Sequence, residues 1–166
     1  MNYAQIRQFD IANGEGIRVS IFVSGCTHKC KGCFNEAYQD FRYGKVWTGE
    51  TSKQLIGYLN NPLVDGLTIL GGEPMQNLEL IDILHEVKKE INKNIWIYSG
   101  YTFEQILADR KKLDLLKECD VLVDGLFVEE LLDLKLRFRG SSNQRLIDIK
   151  NSLERGEIVL YEFLRN

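Results

Sequence analysis

The chain has 166 residues, a net charge of −3, 44% apolar and 27% charged residues, the balance of an ordinary globular protein. A chain of this length is expected to form one domain over 1–166 and to bury about 70% of its unfolded surface. The charge gives no support for nucleic-acid binding, no apolar run approaches the about 18 residues of a membrane span, and the opening MNYAQIRQFD lacks the basic and apolar regions of a secretory signal.

In chain order, Asn13-Gly14-Glu15-Gly16 reads as a turn and the β-branched, aromatic run 17–23 as a buried strand. A loop holding three cysteines leaves its C-terminal end. Thr48 or Thr51 is placed to cap a helix running to about Leu59, with Leu55, Ile56 and Leu59 on one face. Residues 66–70 form a second short strand, from which Gly71-Gly72-Glu73-Pro74 departs. Asn77 is expected to cap a long helix in which Leu80, Ile81, Leu84, Val87 and Ile91 recur at helical spacing. Residues 94–98 are a third strand. Thr102 and Gln105 make a T-x-x-Q capping box for a helix reaching about Lys117. Residues 120–123 are a fourth strand, ending at Asp124-Gly125. Beyond it, 128–135 reads as helix, and 144–150 and 157–163 as strands.

Strands separated by helices of about 10–15 residues imply βαβ units, an α/β class and a mostly parallel sheet. The cysteine loop, Gly71-Gly72-Glu73, Tyr98-Ser99-Gly100 and Asp124-Gly125 all leave C-terminal strand ends, where α/β sheets bind ligands. The length leaves room for about five or six βα units, against eight in a full barrel, so a partial, open (βα) barrel with a wide lateral mouth is expected.

Cys26, Cys30 and Cys33 are spaced C-x3-C-x2-C, and no fourth cysteine follows nearby. A structural zinc site closes with four ligands, and a simple electron-transfer iron–sulfur cluster takes four thiolates. Three thiolates in one loop suit three irons of a cubane with the fourth iron open. The competing arrangement is a zinc site completed by His28 or Cys119; otherwise His28 is solvated and Cys119 is a small core residue. Lys29 and Lys31 either solubilise the loop or stabilise an anionic cluster and attract an acidic electron donor. Gly71 and Gly72 make a turn, or let a ligand approach the backbone while Glu73 accepts hydrogen bonds from a cationic amine. Arg137, Arg139 and Arg145 are a solvated face or a docking surface. Trp47 and Trp96 read as packing. The cysteines, kept reduced, point to the cytoplasm.

The cysteine motif leaving the first strand, with Gly71-Gly72-Glu73 leaving the second, resembles the radical S-adenosylmethionine superfamily. Within it, Asn13-Gly14-Glu15-Gly16-Ile17-Arg18, the stretch 26–43 and Arg137-Phe138-Arg139-Gly140-Ser141-Ser142-Asn143-Gln144-Arg145 resemble the activating proteins of the anaerobic (class III) ribonucleoside-triphosphate reductase, over essentially the whole chain. The resemblance implies a radical enzyme that holds a 4Fe-4S cluster on Cys26, Cys30 and Cys33. It implies reductive cleavage of S-adenosylmethionine, with an electron from a flavodoxin-type donor, and hydrogen abstraction from a glycine of the reductase large subunit. Gly71, Gly72 and Glu73 are then expected at the methionine amine, and Gly32, Cys33 and Phe34 beside the adenine. Ser99, with Gly100, is expected at the ribose or carboxylate, and Asp124 either in a turn or at a cation near the carboxylate. Gly32 departs from the superfamily, which often has an aromatic before the third cysteine. The alternatives are activation of another glycyl-radical enzyme, such as pyruvate formate-lyase, and a non-catalytic iron–sulfur electron carrier.

Overall fold

A computed structural model describes residues 1–164. A seven-stranded sheet runs in the order β3-β1-β2-β4-β5-β6-β7, with β1 Asn2–Asp10, β2 Arg18–Val23, β3 Lys45–Val46, β4 Gly66–Gly71, β5 Asn94–Tyr98, β6 Val121–Asp124 and β7 Arg145–Asp148. The pairs β2–β4, β4–β5 and β5–β6 are parallel; β1 pairs antiparallel with both β2 and β3, and β7 pairs antiparallel with β6. The sheet is therefore mixed and open, not the mostly parallel partial barrel of five or six units that the helix–strand alternation suggests. Three crossovers carry the parallel part: α1 Gly49–Leu59, α2 Leu80–Lys88, and the pair α3 Phe103–Leu107 and α4 Arg110–Leu116. A last helix, α5, spans Ile149–Arg155.

Alternation along the strands separates two cores. Val19, Ile21, Val23, Leu67, Ile69, Ile95, Ile97 and Leu122 face the helices, meeting Leu55, Leu59, Leu80, Leu84, Ile106 and Leu115. Trp96, Val121, Val123 and Leu146 face the other way, under Tyr98, Phe138 and Tyr161. Trp96 and Trp47 pack as expected, Trp96 at 1% exposure and Trp47 edge-on to Tyr3. Cys119 is likewise buried in the helix-side core.

Local chemistry sets the helix ends. Thr48, not Thr51, is the N-cap of α1, with Thr51 closing a reciprocal capping box. Thr102 and Gln105 do the same for α3. The helix expected to continue to Lys117 breaks because Asp109 accepts from the N–H groups of Lys111 and Lys112 and starts α4. Asn77 does not cap α2 with its side chain, which donates instead to the Glu73 carbonyl at 3.0 Å. Residues 128–135 form a short 3-10 turn, Glu129–Leu131, and a bridge from Leu132 to Ser141, not a helix. The strand expected over 144–150 ends at Asp148, whose carboxylate caps α5, and the 157–163 segment makes a single bridge at Leu160.

At the start of the parallel strands Arg18 is buried. Its guanidinium donates to Thr68 Oγ1, to the Glu15, Leu67 and Asn94 carbonyls and to Asn94 Oδ1, over the face of Trp96. Burial brings its pKa down to about 10, so it remains a cation at neutral pH. This tie binds the N-terminal ends of β2, β4 and β5 and leaves their C-terminal ends to the functional loops.

Candidate functional site

Four loops converge where β2, β4, β5 and β6 end, as the strand–helix alternation predicts. They enclose a cavity of about 600 Å³, within the range of ligand sites. Cys26, Cys30, Cys33, Phe34, Gly71, Gly72, Glu73, Ser99 and Gly100 all line it.

The cysteine loop is anchored by backbone. Gly25 N–H donates to the Tyr38 carbonyl at 2.7 Å and Cys26 N–H to the Gln39 carbonyl at 3.0 Å. Lys29 and Gly32, between the three free cysteines, take left-handed backbone angles, φ 54° and 73°. Burial pushes the Cys26 and Cys30 thiols above their ordinary pKa, partly offset by backbone N–H groups of His28 and Phe127. A metal at these sulfurs must displace a proton from each. Among the described residues no three His, Cys, Asp or Glu side chains converge on one point as a mononuclear ion requires. Neither partner of a zinc site is turned to the thiols in this structure: Cys119 Sγ lies in the core against the Leu115 carbonyl, and His28 Nε2 is hydrogen-bonded to Glu73. The donor set, three free thiols round one loop facing an open cavity, fits a cluster with one uncovered iron.

The glycines of the Gly71-Gly72-Glu73 loop also answer to a packing constraint. A Cβ on Gly71 would meet the Val23 backbone at 2.6 Å, and one on Gly72 the Gly25 carbonyl at 2.6 Å. Gly71 is small because the end of β2 lies against it and Gly72 because the cysteine loop does, an arrangement fixed by Gly72 N–H to the Val23 carbonyl and Glu73 N–H to the Gly25 carbonyl, each 2.8 Å. The two loops are thus one unit.

Glu73 is 1% exposed. Its carboxylate accepts from Met75 N–H, Ser99 Oγ and Gly100 N–H, and from the His28 ring at 2.8 Å. His28, expected to be solvated, is therefore held at the centre of the site, edge-on to Tyr101 at 4.7 Å. Gln76 adds a second tie, accepting from Thr27 N–H and donating to Thr27 Oγ1.

Two expected cofactor residues stand elsewhere. Gly32 does not line the cavity; a Cβ there would point at Glu129, 3.0 Å away, and its left-handed φ accounts for glycine in place of an aromatic. Asp124 turns its carboxylate to the Arg145 guanidinium and to Phe103 N–H at the start of α3, and does not line the cavity. The aromatic wall is Phe34 with Phe127, ring centroids 4.8 Å apart, packed on Gly140. Phe127 carried no cue in the sequence. Phe138 holds a left-handed φ of 60°, its carbonyl accepting from Tyr98 Oη at 2.6 Å, and this turn delivers Arg139 and Gly140 to the cavity wall.

The basic cluster is not a free face. Arg145 pairs with Asp124 and Glu104, Arg137 stacks on Phe163 at 3.9 Å, and Arg139 donates to the Gln144 carbonyl. Lys31 lies 3.8 Å from Glu129, while Lys29 is exposed beside the cysteines.

A family described as "4Fe-4S single cluster domain" matches residues 12–147. The chain is 43% identical over 150 residues to the anaerobic ribonucleoside-triphosphate reductase-activating protein of Enterobacteria phage T4, covering 88% of this chain and 93% of that protein. It is 39% identical over 150 residues to the protein so named in Haemophilus influenzae, covering 87% and 96%. To that of Escherichia coli K12 it is 38% identical over 151 residues, covering 87% and 96%.

Proposed function

Since the chain belongs to the family of anaerobic ribonucleoside-triphosphate reductase-activating proteins and carries its 4Fe-4S domain, we propose that it is a radical S-adenosylmethionine activase that generates a glycyl radical on the reductase large subunit. Cys26, Cys30 and Cys33 would hold the cluster. Glu73, with the Gly71-Gly72 backbone and Ser99, would receive the amino-acid end of S-adenosylmethionine, and Phe34 with Phe127 the adenine side. Bound there, cluster and cofactor supply reductive cleavage of the sulfonium and removal of a hydrogen atom from a glycine α-carbon.

The observation that carries this reading is the convergence of three free thiols and one buried carboxylate on a single cavity. The protein's part is to bind, orient and exclude water. The cysteine loop and the Gly71-Gly72-Glu73 loop share backbone hydrogen bonds, so cluster and cofactor would be held in fixed relation. Phe34 and Leu134, 66% and 88% exposed, rim the same cavity and offer an apolar mouth to a loop of the reductase. Exposed Lys29 gives a flavodoxin-type donor a positive contact beside the cluster. A cytoplasmic setting follows from the need to keep four cysteines reduced. Among the described residues no helix is long and apolar enough to cross a membrane.

The test is anaerobic incubation of the iron-reconstituted protein with S-adenosylmethionine, a reductant and the reductase. A glycyl-radical signal by electron paramagnetic resonance, with 5′-deoxyadenosine by chromatography, is expected. An intact cluster with neither product refutes the assignment.

A further inference from the structure

The Glu73 carboxylate has no acceptor position to spare. Oε1 takes Met75 N–H and the Ser99 hydroxyl, each at 2.8 Å; Oε2 takes Gly100 N–H at 2.7 Å and the His28 ring Nε2 at 2.8 Å. A carboxylate offers about four lone-pair positions, so the set is full. The cofactor reading needs one of those positions for an α-ammonium group, and one donor has to leave.

Three of the four are parts of the framework. Met75 N–H belongs to the same short turn as Glu73, Pro74–Gln76. Ser99 and Gly100 directly follow β5; Ser99 N–H is tied to the Val123 carbonyl at 2.9 Å, and its hydroxyl is held by Tyr101 N–H at 3.0 Å. The fourth donor is a side chain from the cysteine loop, 45 residues away in sequence. The imidazole swings about two side-chain bonds without moving any backbone. It is 15% exposed and stands at the cavity wall, so it has somewhere to go. Its present seat is shaped for it: a Cβ on Gly100 would lie 2.7 Å from the His28 ring.

We infer that His28 is a displaceable occupant of the amine position on Glu73, a positioning residue that satisfies the buried carboxylate until the ammonium of the cofactor takes its place. The inference rests on the cofactor reading above. Its physical basis is that a buried acceptor left one donor short is costly, whereas an ammonium delivers a charge-assisted bond in exchange for the one lost. Because His28 lies midway between Cys26 and Cys30, filling the amine position releases the cysteine loop from the only side chain it places on Glu73. Cofactor occupancy and the conformation of the cluster loop are thereby coupled through one ring. A histidine that stays in place to orient Glu73 makes the opposite prediction.

The experiment is anaerobic titration calorimetry of cluster-loaded wild type, His28→Ala and His28→Phe with S-adenosylmethionine and, separately, with 5′-methylthioadenosine, which shares the nucleoside but lacks the amino-acid portion and its α-ammonium. His28→Phe keeps an apolar ring in the cysteine loop when no cofactor is bound, but gives Glu73 no hydrogen bond, so the ring yields the amine position without losing one. Removing the competitor is expected to tighten S-adenosylmethionine binding in both variants by about three- to thirtyfold, with 5′-methylthioadenosine unchanged. Equal or weaker S-adenosylmethionine binding by both variants, or the same gain for both ligands, overturns the inference while leaving the cofactor reading intact. A wild-type protein that takes up no S-adenosylmethionine overturns the cofactor reading itself, and this inference with it.

Discussion

Asp124 and Arg145 face each other across β6 and β7 as a two-point ion pair, 3.1 Å at Oδ1 and 2.6 Å at Oδ2, with the carboxylate 1% exposed. Asp124 holds Arg145 above its ordinary pKa, with Glu104 assisting. Asp124 also accepts from Phe103 N–H, adding to the Thr102 cap at the start of α3. Removing its charge leaves the arginine with only Glu104, which is 60% exposed and contributes little. Asp124→Asn is therefore expected to cost about 3 kcal/mol and to lower Tm by about 6–12 °C, whereas Glu104→Gln costs under about 0.5 kcal/mol. Calorimetric melts of the two variants check the contrast.

A second buried carboxylate gives a pH signature. Burial alone would raise the pKa of Asp10, but hydrogen bonds from Ser20, Asn13 and Ala12 N–H outweigh it and hold the group below its ordinary value. A carboxyl lowered in the fold contributes stability above its unfolded pKa of about 3.9, and that contribution fades as the pH falls through the lower folded value. Ser20→Ala is thus expected to cost about 1.5–3 kcal/mol at pH 7, the worth of a hydrogen bond to a charged group. The gap to wild type should narrow steadily below about pH 3.9. Urea unfolding across that range is the measurement; a gap independent of pH counts against the role of Ser20.

Two glycines should respond to alanine with opposite signs. Gly57 is inside α1 with nothing within 4 Å of an added Cβ. Gly57→Ala is expected to stabilise by about 0.5–1 kcal/mol through helix propensity. At Gly72 the obstacles are backbone atoms, the Gly25 carbonyl at 2.6 Å and the Tyr38 carbonyl at 2.9 Å, which cannot rotate aside. Gly72→Ala is expected to cost about 2–3 kcal/mol by forcing the two loops apart, and to lower the iron retained per chain after reconstitution. Thermal melts and iron analysis of both variants test this.

The parallel part of the fold was legible because its strands are apolar runs and its helices carry explicit caps, as at Thr48 and Thr102. β1 was not. Its sequence, NYAQIRQFD, is half-exposed and interrupted by register shifts against β2, so no period of two survives. The strand expected over 144–150 contains β7 but runs two residues into α5, because Asp148 switches the chain to helix with no loop between. At the site, the residue types that form the loops were visible, but their mutual contacts were not. Nothing local to His28 announces a carboxylate 45 residues on. The small size of Gly72 has a cause in Gly25, on another strand's loop. The three late arginines look alike in sequence and differ only in what folding sets beside them.

That difference moves the expected docking surface. With Arg145 paired to acids, Arg139 on a carbonyl at the cavity wall and Arg137 between an aromatic ring and Glu15, the three late arginines do not make one continuous basic face. The mouth of the cavity presents apolar side chains instead: Leu134 at 88% and Phe34 at 66% exposure, both lining it. Exposed side chains of this size at a cavity mouth gain by burial against another protein, and each is worth about 1.5–3 kcal/mol if covered. Leu134→Asp is accordingly expected to weaken binding of the reductase by at least about tenfold. Leu63 is comparably exposed, at 66%, but precedes β4 at the opposite end of the strands and does not line the cavity. Leu63→Asp should leave the affinity as it is. Surface plasmon resonance of the two variants against immobilised reductase separates the apolar mouth from a general surface effect, and equal losses in both would move the interface elsewhere.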